Sequence, residues 1–505
     1  MIRRILIISA ILSLFCSCSK PDDVPADEGG QQSGGIEQPE VPDKPRPEHK
    51  GRIVASTDGR YLMYENGQPF FWLADTAWLL TDRMNLDEAR EYLTKRAEQG
   101  YTVILFSCLG DDYATHNANY IGEKAFKDAD YTVFNPKYFE HVENIIDIAD
   151  ELGLVVGLLP NWGDKLCELW GYEKPVLHTK ERAENYGRYI GNLLKDKENV
   201  VFILGGDRAA SGQANGKTFD IRNLVKAQAK GIALGISGRE DYSKCTITYH
   251  PSGYQTSSTW FAAEEWLDFN MQQNGHGYDD VWDRIHKDYL KTPVKPVVDG
   301  EPTYDEHWLN FKEEDGLTSD LHCRRYFYHE VFSGAFGHTY GTTGIWSFYD
   351  PAIPFKYKKE DVPTSSWRKS LDLPSGIQMV YGKNLMMSRP YFSRIPDNSI
   401  VLDLYSGHKR ITATRDKDNT YAMAYSEQGE PIKINLMSIG KGSIVNAWWF
   451  NPRTGKAILI GEVEKMPSRV FTPSSKGPGN DWILVVDAPE ACYSAPGKEI
   501  CKENI

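Results

Sequence analysis

Residues 200–208, VVFILGGDR, decide the fold. Five apolar residues in a row, Val200, Val201, Phe202, Ile203 and Leu204, read as a strand buried on both faces, the pattern of a parallel sheet covered by helices. The run stops at Gly205-Gly206, and the next residue is a carboxylate, Asp207. Residues 295–305, KPVVDGEPTYD, repeat the layout and place Glu301 just past a short apolar run. Both acids stand at what reads as the carboxyl end of a strand. Two carboxylates facing one sugar are the minimum apparatus for cutting a glycosidic bond.

Working outward, the same unit recurs. Residues 71–74 read as a first strand, and Asn85-Leu86-Asp87-Glu88 as a capping-box start. Leu86, Ala89, Leu93 and Ala97 share one helical face, and Gly100 suits the position after its end. A second strand follows at 101–106, a helix around Val142, Ile145, Ile146 and Ala149, then Gly153 and a third strand at 154–159. Further strands are expected near 200–204, 245–249, 267–271, 296–299 and 343–347, and helices near 180–195, 219–233, 279–290 and 319–333. Eight strands alternating with helices predict an α/β fold, a (β/α)8 TIM barrel over 52–380, rather than an open doubly wound sheet. No GxGxxG follows a strand, so a nucleotide site lacks support. Over 385–490 the texture changes to short runs at 400–404, 421–425, 432–436, 445–450 and 482–486, split by turn residues such as Asn451-Pro452-Arg453-Thr454-Gly455. That predicts an all-β sandwich, with a tail over 491–505.

The 505 residues suit one large barrel plus a smaller module. A net charge of -13 argues against a nucleic-acid partner. The 13 Trp, 28 Tyr and 20 Phe fit a large core, and also fit rings that stack on sugar faces. Arg3 and Arg4 precede an apolar run, 5–15, too short to span a bilayer. It ends in Leu14-Phe15-Cys16-Ser17-Cys18, which resembles a bacterial lipoprotein signal cut before a lipidated Cys18. Ser19-Lys20-Pro21-Asp22-Asp23 resembles the surface-export signal of Bacteroidetes lipoproteins. The expectation is an outer-membrane lipoprotein at the cell surface, touching the membrane by its lipid anchor only; the alternatives are a periplasmic protein or an ordinary secretory signal cut nearby. Residues 19–51, rich in Pro, Gly and acidic residues, read as a disordered tether. Six cysteines remain after Cys18, at 108, 167, 245, 323, 492 and 501; Cys492 and Cys501 are near enough in sequence to pair. No Cys/His spacing suggests a metal, and no cofactor is expected.

In a (β/α)8 barrel the chemistry sits at the carboxyl ends of the strands. Those positions hold Asp75 with Trp78, then Asp111 and Asp112, Asn161-Trp162-Gly163-Asp164, Asp207-Arg208, His250, Gln272 and Gln273 with His276, Glu301, and Trp346. Asp75 either caps a helix, pairs with Arg208 or meets substrate. His250 is a satisfied structural histidine or a ligand contact, and Trp162 a sugar platform. Asp207 and Glu301, after the fourth and seventh strands, fall on opposite sides of the mouth. Retaining enzymes hold the two carboxyls about 5–5.5 Å apart and inverting ones about 6.5–9.5 Å. Arg208 beside Asp207 would lower the pKa of a general acid, so it is expected to point elsewhere, to Asp75 or to an anionic substrate. Arg83 is a second candidate for such a substrate.

Together the segments 73–78 (LADTAW), 160–164 (PNWGD), 205–208 (GGDR), 250–253 (HPSG), 274–276 (NGH), 299–302 (DGEP) and 337–341 (GHTYG) resemble the apiosidase-like glycoside hydrolases, glycoside hydrolase family 140. The C-terminal part resembles the sandwich, labelled a collagen-binding domain, that is often appended in that family. The resemblance implies a retaining, exo-acting enzyme that releases apiose from the pectin rhamnogalacturonan II, with Asp207 as general acid/base and Glu301 as nucleophile. Asp75, Trp78, Asp111, Asn161, Trp162, Arg208, His250, Gln273, His276, Tyr304, His338 and Trp346 are then the candidate contacts to a pectin oligosaccharide. Tyr304-Asp305 stands where the family pattern has a Tyr-Glu pair. The alternatives are an endo-glycanase or another exo-glycosidase on a plant polysaccharide, and a surface glycan-binding lipoprotein without catalysis.

Overall fold

The computed structural model describes residues 50–110, 117–167, 176–214, 216–277, 280–353 and 365–498. The leader, Cys18 and the tether lie outside them, as do Asp111 and Cys501. The potential pairing of Cys492 therefore falls on a residue outside the described set.

The first helix, α1 (Leu86–Gln99), begins where its capping residues dictate. The Asn85 side chain accepts from Glu88 N at 2.9 Å, the Glu88 carboxylate accepts from Asn85 N at 3.5 Å, and Gly100 closes the helix at φ 101°. Before it comes β1 (Trp72–Thr76). The alternation then runs β2 (Val103–Ser107), α2 (Pro136–Glu151), β3 (Val155–Leu159), α3 (Lys180–Leu193), β4 (Val200–Gly205), α4 (Arg222–Ser237), β5 (Ile247–His250), β6 (Asn270–Gln273), α5 (Val281–Tyr289), β7 (Val297–Asp299), α6 (Asp320–Phe332), β8 (Gly337–Tyr340) and α7 (Pro374–Met387).

Strands β8-β1-β2-β3-β4-β5 form one parallel sheet in that order, and β6 pairs with β7 in parallel. Backbone bonds close both seams: Asp268 N donates to Ile247 O at 2.9 Å beside β5, and Phe336 N to Val297 O at 3.0 Å beside β8. The result is a curled, closed parallel sheet. Its interior is filled rather than hollow, as barrels of this size are. Trp72 meets Phe269 and Phe336 edge-on at 5.8 and 6.2 Å, among buried Leu105, Ile203, Met271 and Val298.

The eighth strand is Gly337–Tyr340, not the expected 343–347, which holds the helical turn Thr343–Trp346. Its polar residues disguise it. His338 Nδ1 lies 3.1 Å from Glu330 Oε2, and Thr339 Oγ1 accepts from Trp72 Nε1 at 3.3 Å, so two polar side chains are satisfied inside the core.

The C-terminal module contains β9 (Arg394–Pro396), β10 (Ile411–Asp416), β11 (Tyr421–Ser426), β12 (Ile432–Ile434), β13 (Ile444–Asn451), β14 (Lys456–Glu464), β15 (Arg469–Phe471) and β16 (Trp482–Asp487). Six strands form an antiparallel sheet ordered β9-β10-β11-β16-β13-β14, covered by the pair β12-β15. The strand expected at 400–404 is instead a 3-10 turn, Asn398–Ile400, followed by a single bridge from Val401 to Ile434. In β11 every residue is buried, because alternate side chains serve different cores. Ala422 and Ala424 face the sandwich interior, while Tyr421, Met423 and Tyr425 pack with Phe327 and Tyr328 of α6. Buried ion pairs fix this contact. Arg324 on α6 clasps Asp481 through two bonds of 2.8 and 3.0 Å, and Arg389 clasps Asp487 at 2.8 and 2.7 Å.

Candidate active site

Asp207 is presented by a turn that only certain residues can make. Gly205, Gly206 and Asp207 all have left-handed backbone, with φ of 85°, 111° and 50°. A Cβ on Gly205 would stand 2.5 Å from His250 O, and one on Gly206 3.1 Å from Cα of Trp162. The two glycines thus let β4 turn sharply between its neighbours, and strain is concentrated at the carboxylate, as is common at reacting centres.

Glu301 follows β7 and is 8 % exposed. Tyr304 O–H donates to its Oε1 at 2.7 Å, and Gln273 Nε2 to its Oε2 at 2.9 Å. Trp78 Nε1 donates in turn to the Tyr304 hydroxyl at 2.8 Å, so the carboxylate is held by a two-step relay from the segment just after β1. His250 lies between the two acids. Its Nδ1 lies 3.1 Å from Asp207 N and 3.0 Å from Pro251 O, and its Nε2 lies 3.3 Å from Glu301 Oε2. Burial pushes the His250 pKa down to about 4, so the ring is neutral at ordinary pH.

Both acids line one cavity of about 210 Å³ at the carboxyl ends of the strands. Trp78, Leu79, Ser107, Trp162, Arg208 and Trp346 form one part of its wall, and Gln273, His276, Tyr304, His307 and Phe311 the rest. Trp78 and Trp162 meet edge-on at 5.2 Å. His276 stacks on His307 at 3.9 Å, with Phe311 edge-on to both. Burial, and next the charge of Asp207, push the Glu301 pKa up to about 8, against the pull of Tyr304. A larger cleft of about 600 Å³, lined by Lys195, Lys197, Arg239 and Lys244, lies where β4 and β5 begin, away from both acids.

Several expectations need correction. Arg208 does not turn away: its Nη1 donates to Asp207 Oδ2 at 2.7 Å and to Asp207 O at 2.8 Å. Asp75 neither caps a helix, nor meets Arg208, nor reaches the cavity. It is buried against α1, accepting from Tyr92 O–H at 2.7 Å and Arg96 Nε at 2.6 Å. Asn161 is buried too, donating to Trp162 O and accepting from Gln228 of α4. His338 is engaged by Glu330 of α6. These three sit near strand ends, but their side chains point into the helix layer rather than the mouth. Arg83 is buried outside the cavity lining. Gln272 likewise bonds Asp288 of α5, while its neighbour Gln273 points inward, as strand alternation requires. Trp346 lines the cavity, though from the turn after β8.

Leu79, Ser107, His307 and Phe311 were not anticipated. Ser107 ends β2, so a full count of strand ends finds it. His307 and Phe311 sit in an irregular loop after β7, where Asn310 and Phe311 have left-handed backbone and Asn310 N bonds His276 O at 2.9 Å. No periodicity marks such a loop.

A closed (β/α)8 barrel whose mouth holds two carboxylates after β4 and β7, among tryptophans and hydrogen-bond donors, defines a glycoside hydrolase. The family model for the apiosidase-like catalytic domain matches residues 56–393, and a model for a collagen-binding domain of a collagenase matches 395–487. The chain belongs to the apiosidase-like family. A solved glycoside hydrolase is 33% identical over 87% of this chain and 98% of its own, with a TM-score of 0.76. A structure described as glycoside hydrolase family 5, from Bacteroides vulgatus, is 31% identical over 90% and 97%, with a TM-score of 0.79. Another Bacteroides vulgatus structure, 13% identical over 87% of this chain and 83% of its own with a TM-score of 0.58, shares the fold alone. No curated protein matches the chain.

Proposed function

We propose that the protein is a retaining, exo-acting glycosidase that removes terminal apiose from rhamnogalacturonan II, with Asp207 as general acid/base and Glu301 as nucleophile. The observation that carries the roles is the asymmetry of the two acids. Glu301 is buried and fixed by Tyr304 and Gln273, as suits attack on one carbon at a set position. Asp207 has a side chain 37% exposed, where a leaving group departs and water arrives. The site reacts in the form in which the single proton it holds sits on Asp207 and Glu301 is the anion: Asp207 gives that proton to the glycosidic oxygen while Glu301 bonds to the anomeric carbon, and the C–O pair leaves with the oxygen. In the second, Asp207 takes a proton from water, the water oxygen bonds to the anomeric carbon, and Glu301 is released.

A cavity of about 210 Å³ suits one terminal ring better than a passing chain, which supports exo action. The family supports apiose. We also propose lipidation at Cys18 and a cell-surface position, where pectin fragments arrive. The test is incubation with purified rhamnogalacturonan II oligosaccharides, followed by chromatography and by NMR of the first-formed anomer. Apiose alone, released with its configuration retained, supports the reading. Oligosaccharide products point instead to an endo-glycanase, and binding without turnover across a pectin panel to a glycan-binding protein.

A further inference from the structure

Asp299, the last residue of β7, is fully buried beneath the site. Its Oδ1 accepts from Glu301 N at 3.1 Å and from Asn274 N at 3.3 Å. One carboxylate oxygen thus ties the end of β7 to the end of β6. The side chains beside those amides, Glu301 and Gln273, bond each other across the same gap at 2.9 Å. On its other side Asp299 meets Glu330 of α6, which is also fully buried. Among the described residues no Lys or Arg bonds either acid. Asp299 Oδ2 and Glu330 Oε1 are left without a donor, while Glu330 Oε2 lies 3.1 Å from His338 Nδ1. Two facing carboxyls with one bare oxygen each are both satisfied by a single shared proton. Burial, and next the charge of Asp299, push the Glu330 pKa well above the usual carboxylate range, so that proton belongs to Glu330.

We infer that Glu330 stands as a neutral carboxylic acid donating to Asp299, and that this buried acid–carboxylate pair positions Glu301 and sets one negative charge behind it. The inference rests on Glu301 being the nucleophile. The shared proton acts twice. It anchors Asp299 Oδ2, so that Oδ1 stays on the Glu301 and Asn274 amides. It also holds the pair at one charge instead of two. That charge adds to the rise in the Glu301 pKa caused first by burial and then by Asp207, and it makes Glu301 the stronger base once the site's proton is on Asp207. The other groups facing Glu301 are His250 of β5, Gln273 of β6 and Tyr304. Those facing the pair are Asn274 and His338 of β8, and burial keeps that histidine neutral.

The test is infrared titration of the whole protein in the carbonyl region of protonated carboxyls, read as difference spectra between variants. Wild type minus Glu330→Gln should show one protonated carboxyl that persists from about pH 5 to about pH 9. Wild type minus Glu301→Gln follows the titration of Glu301 itself. Asp299→Asn combined with Glu330→Gln keeps the shape and the hydrogen bonds but removes the charge. In that background the Glu301 titration should move to lower pH by about half a unit or more. No protonated carboxyl lost in Glu330→Gln, or a Glu301 titration unmoved in the double variant, overturns the inference. A second arm is kinetic, on rhamnogalacturonan II oligosaccharides, with each variant shown folded by thermal melt. Glu330→Gln can still donate to Asp299 and should cost kcat no more than about threefold, whereas Glu330→Leu leaves Asp299 without a donor and should lower kcat about 10- to 100-fold with KM nearly unchanged. Equal rates in these two variants also overturn the inference. If wild type releases no sugar, the proposed reaction fails, while the infrared titrations still decide the role of the pair.

Discussion

At Glu301 a buried carboxylate is held for chemistry at a cost to the fold. Its pKa is raised from 4.5 to about 8 in the native state, chiefly by burial and then by Asp207. Below pH 4.5 the acid is protonated whether folded or not. As pH climbs from there to about 8, the unfolded chain ionises first and gains on the native state, so stability falls across that window. Glu301→Gln removes the effect. We predict a gain on the order of 2 kcal/mol over wild type at pH 8 that vanishes near pH 4, read by denaturant melts at both values. Tyr304 acts the other way, because its hydroxyl favours the anion. Tyr304→Phe should cut kcat roughly 10- to 100-fold and move the acidic limb of the kcat/KM profile to higher pH; an unmoved limb contradicts the assigned contact. Asp207 and Glu301 were legible in the sequence because each follows an apolar run. Asp75, Asn161 and His338 were misread because position along a strand is legible while the direction of a side chain is not. Each has a partner on a helix, Arg96 of α1, Gln228 of α4 or Glu330 of α6, that turns it into the helix layer.

The turn after β4 is the element on which the site depends. Three consecutive left-handed residues are costly, and glycine lowers that cost at the first two. Gly205→Ala places a Cβ against the His250 carbonyl, so it should lower stability by about 1–3 kcal/mol and displace Asp207. Urea unfolding together with kcat/KM tests this, and a variant with unaltered activity sinks the account of the turn. Gly205-Gly206 was visible as a break in the run, though its handedness was not. The eighth strand was missed because GHTY carries no apolar run: His338 and Thr339 are satisfied by residues that the fold brings to them. A polar strand in a core cannot be recognised from hydrophobicity alone.

On the scale of the whole molecule, barrel and sandwich share a core. The Tyr-Ala-Met-Ala-Tyr pattern of β11 gives its large side chains to the barrel contact and its small ones to the sandwich interior. The strands of the sandwich were mostly legible from their runs. Its docking was legible only in part: the unbroken apolar run of β11 marks a strand buried on both faces, but not what covers the second face. Asp481→Ala would leave Arg324 buried without its bidentate partner and should cost about 3–5 kcal/mol. Barrel and sandwich should still melt in one transition, followed by near-UV circular dichroism and tyrosine fluorescence; two separated transitions would mean that the interface couples them weakly.

The central claim is that Asp207 and Glu301 together cut a terminal sugar from a pectic glycan. The most direct measurement is monosaccharide release from rhamnogalacturonan II oligosaccharides by wild type, Asp207→Asn and Glu301→Gln, each verified as folded. Wild type should release apiose alone, Asp207→Asn should be slower by about 10²–10⁴-fold, and Glu301→Gln should release none within the assay. Undiminished release by both variants, or no monosaccharide from wild type, would contradict it.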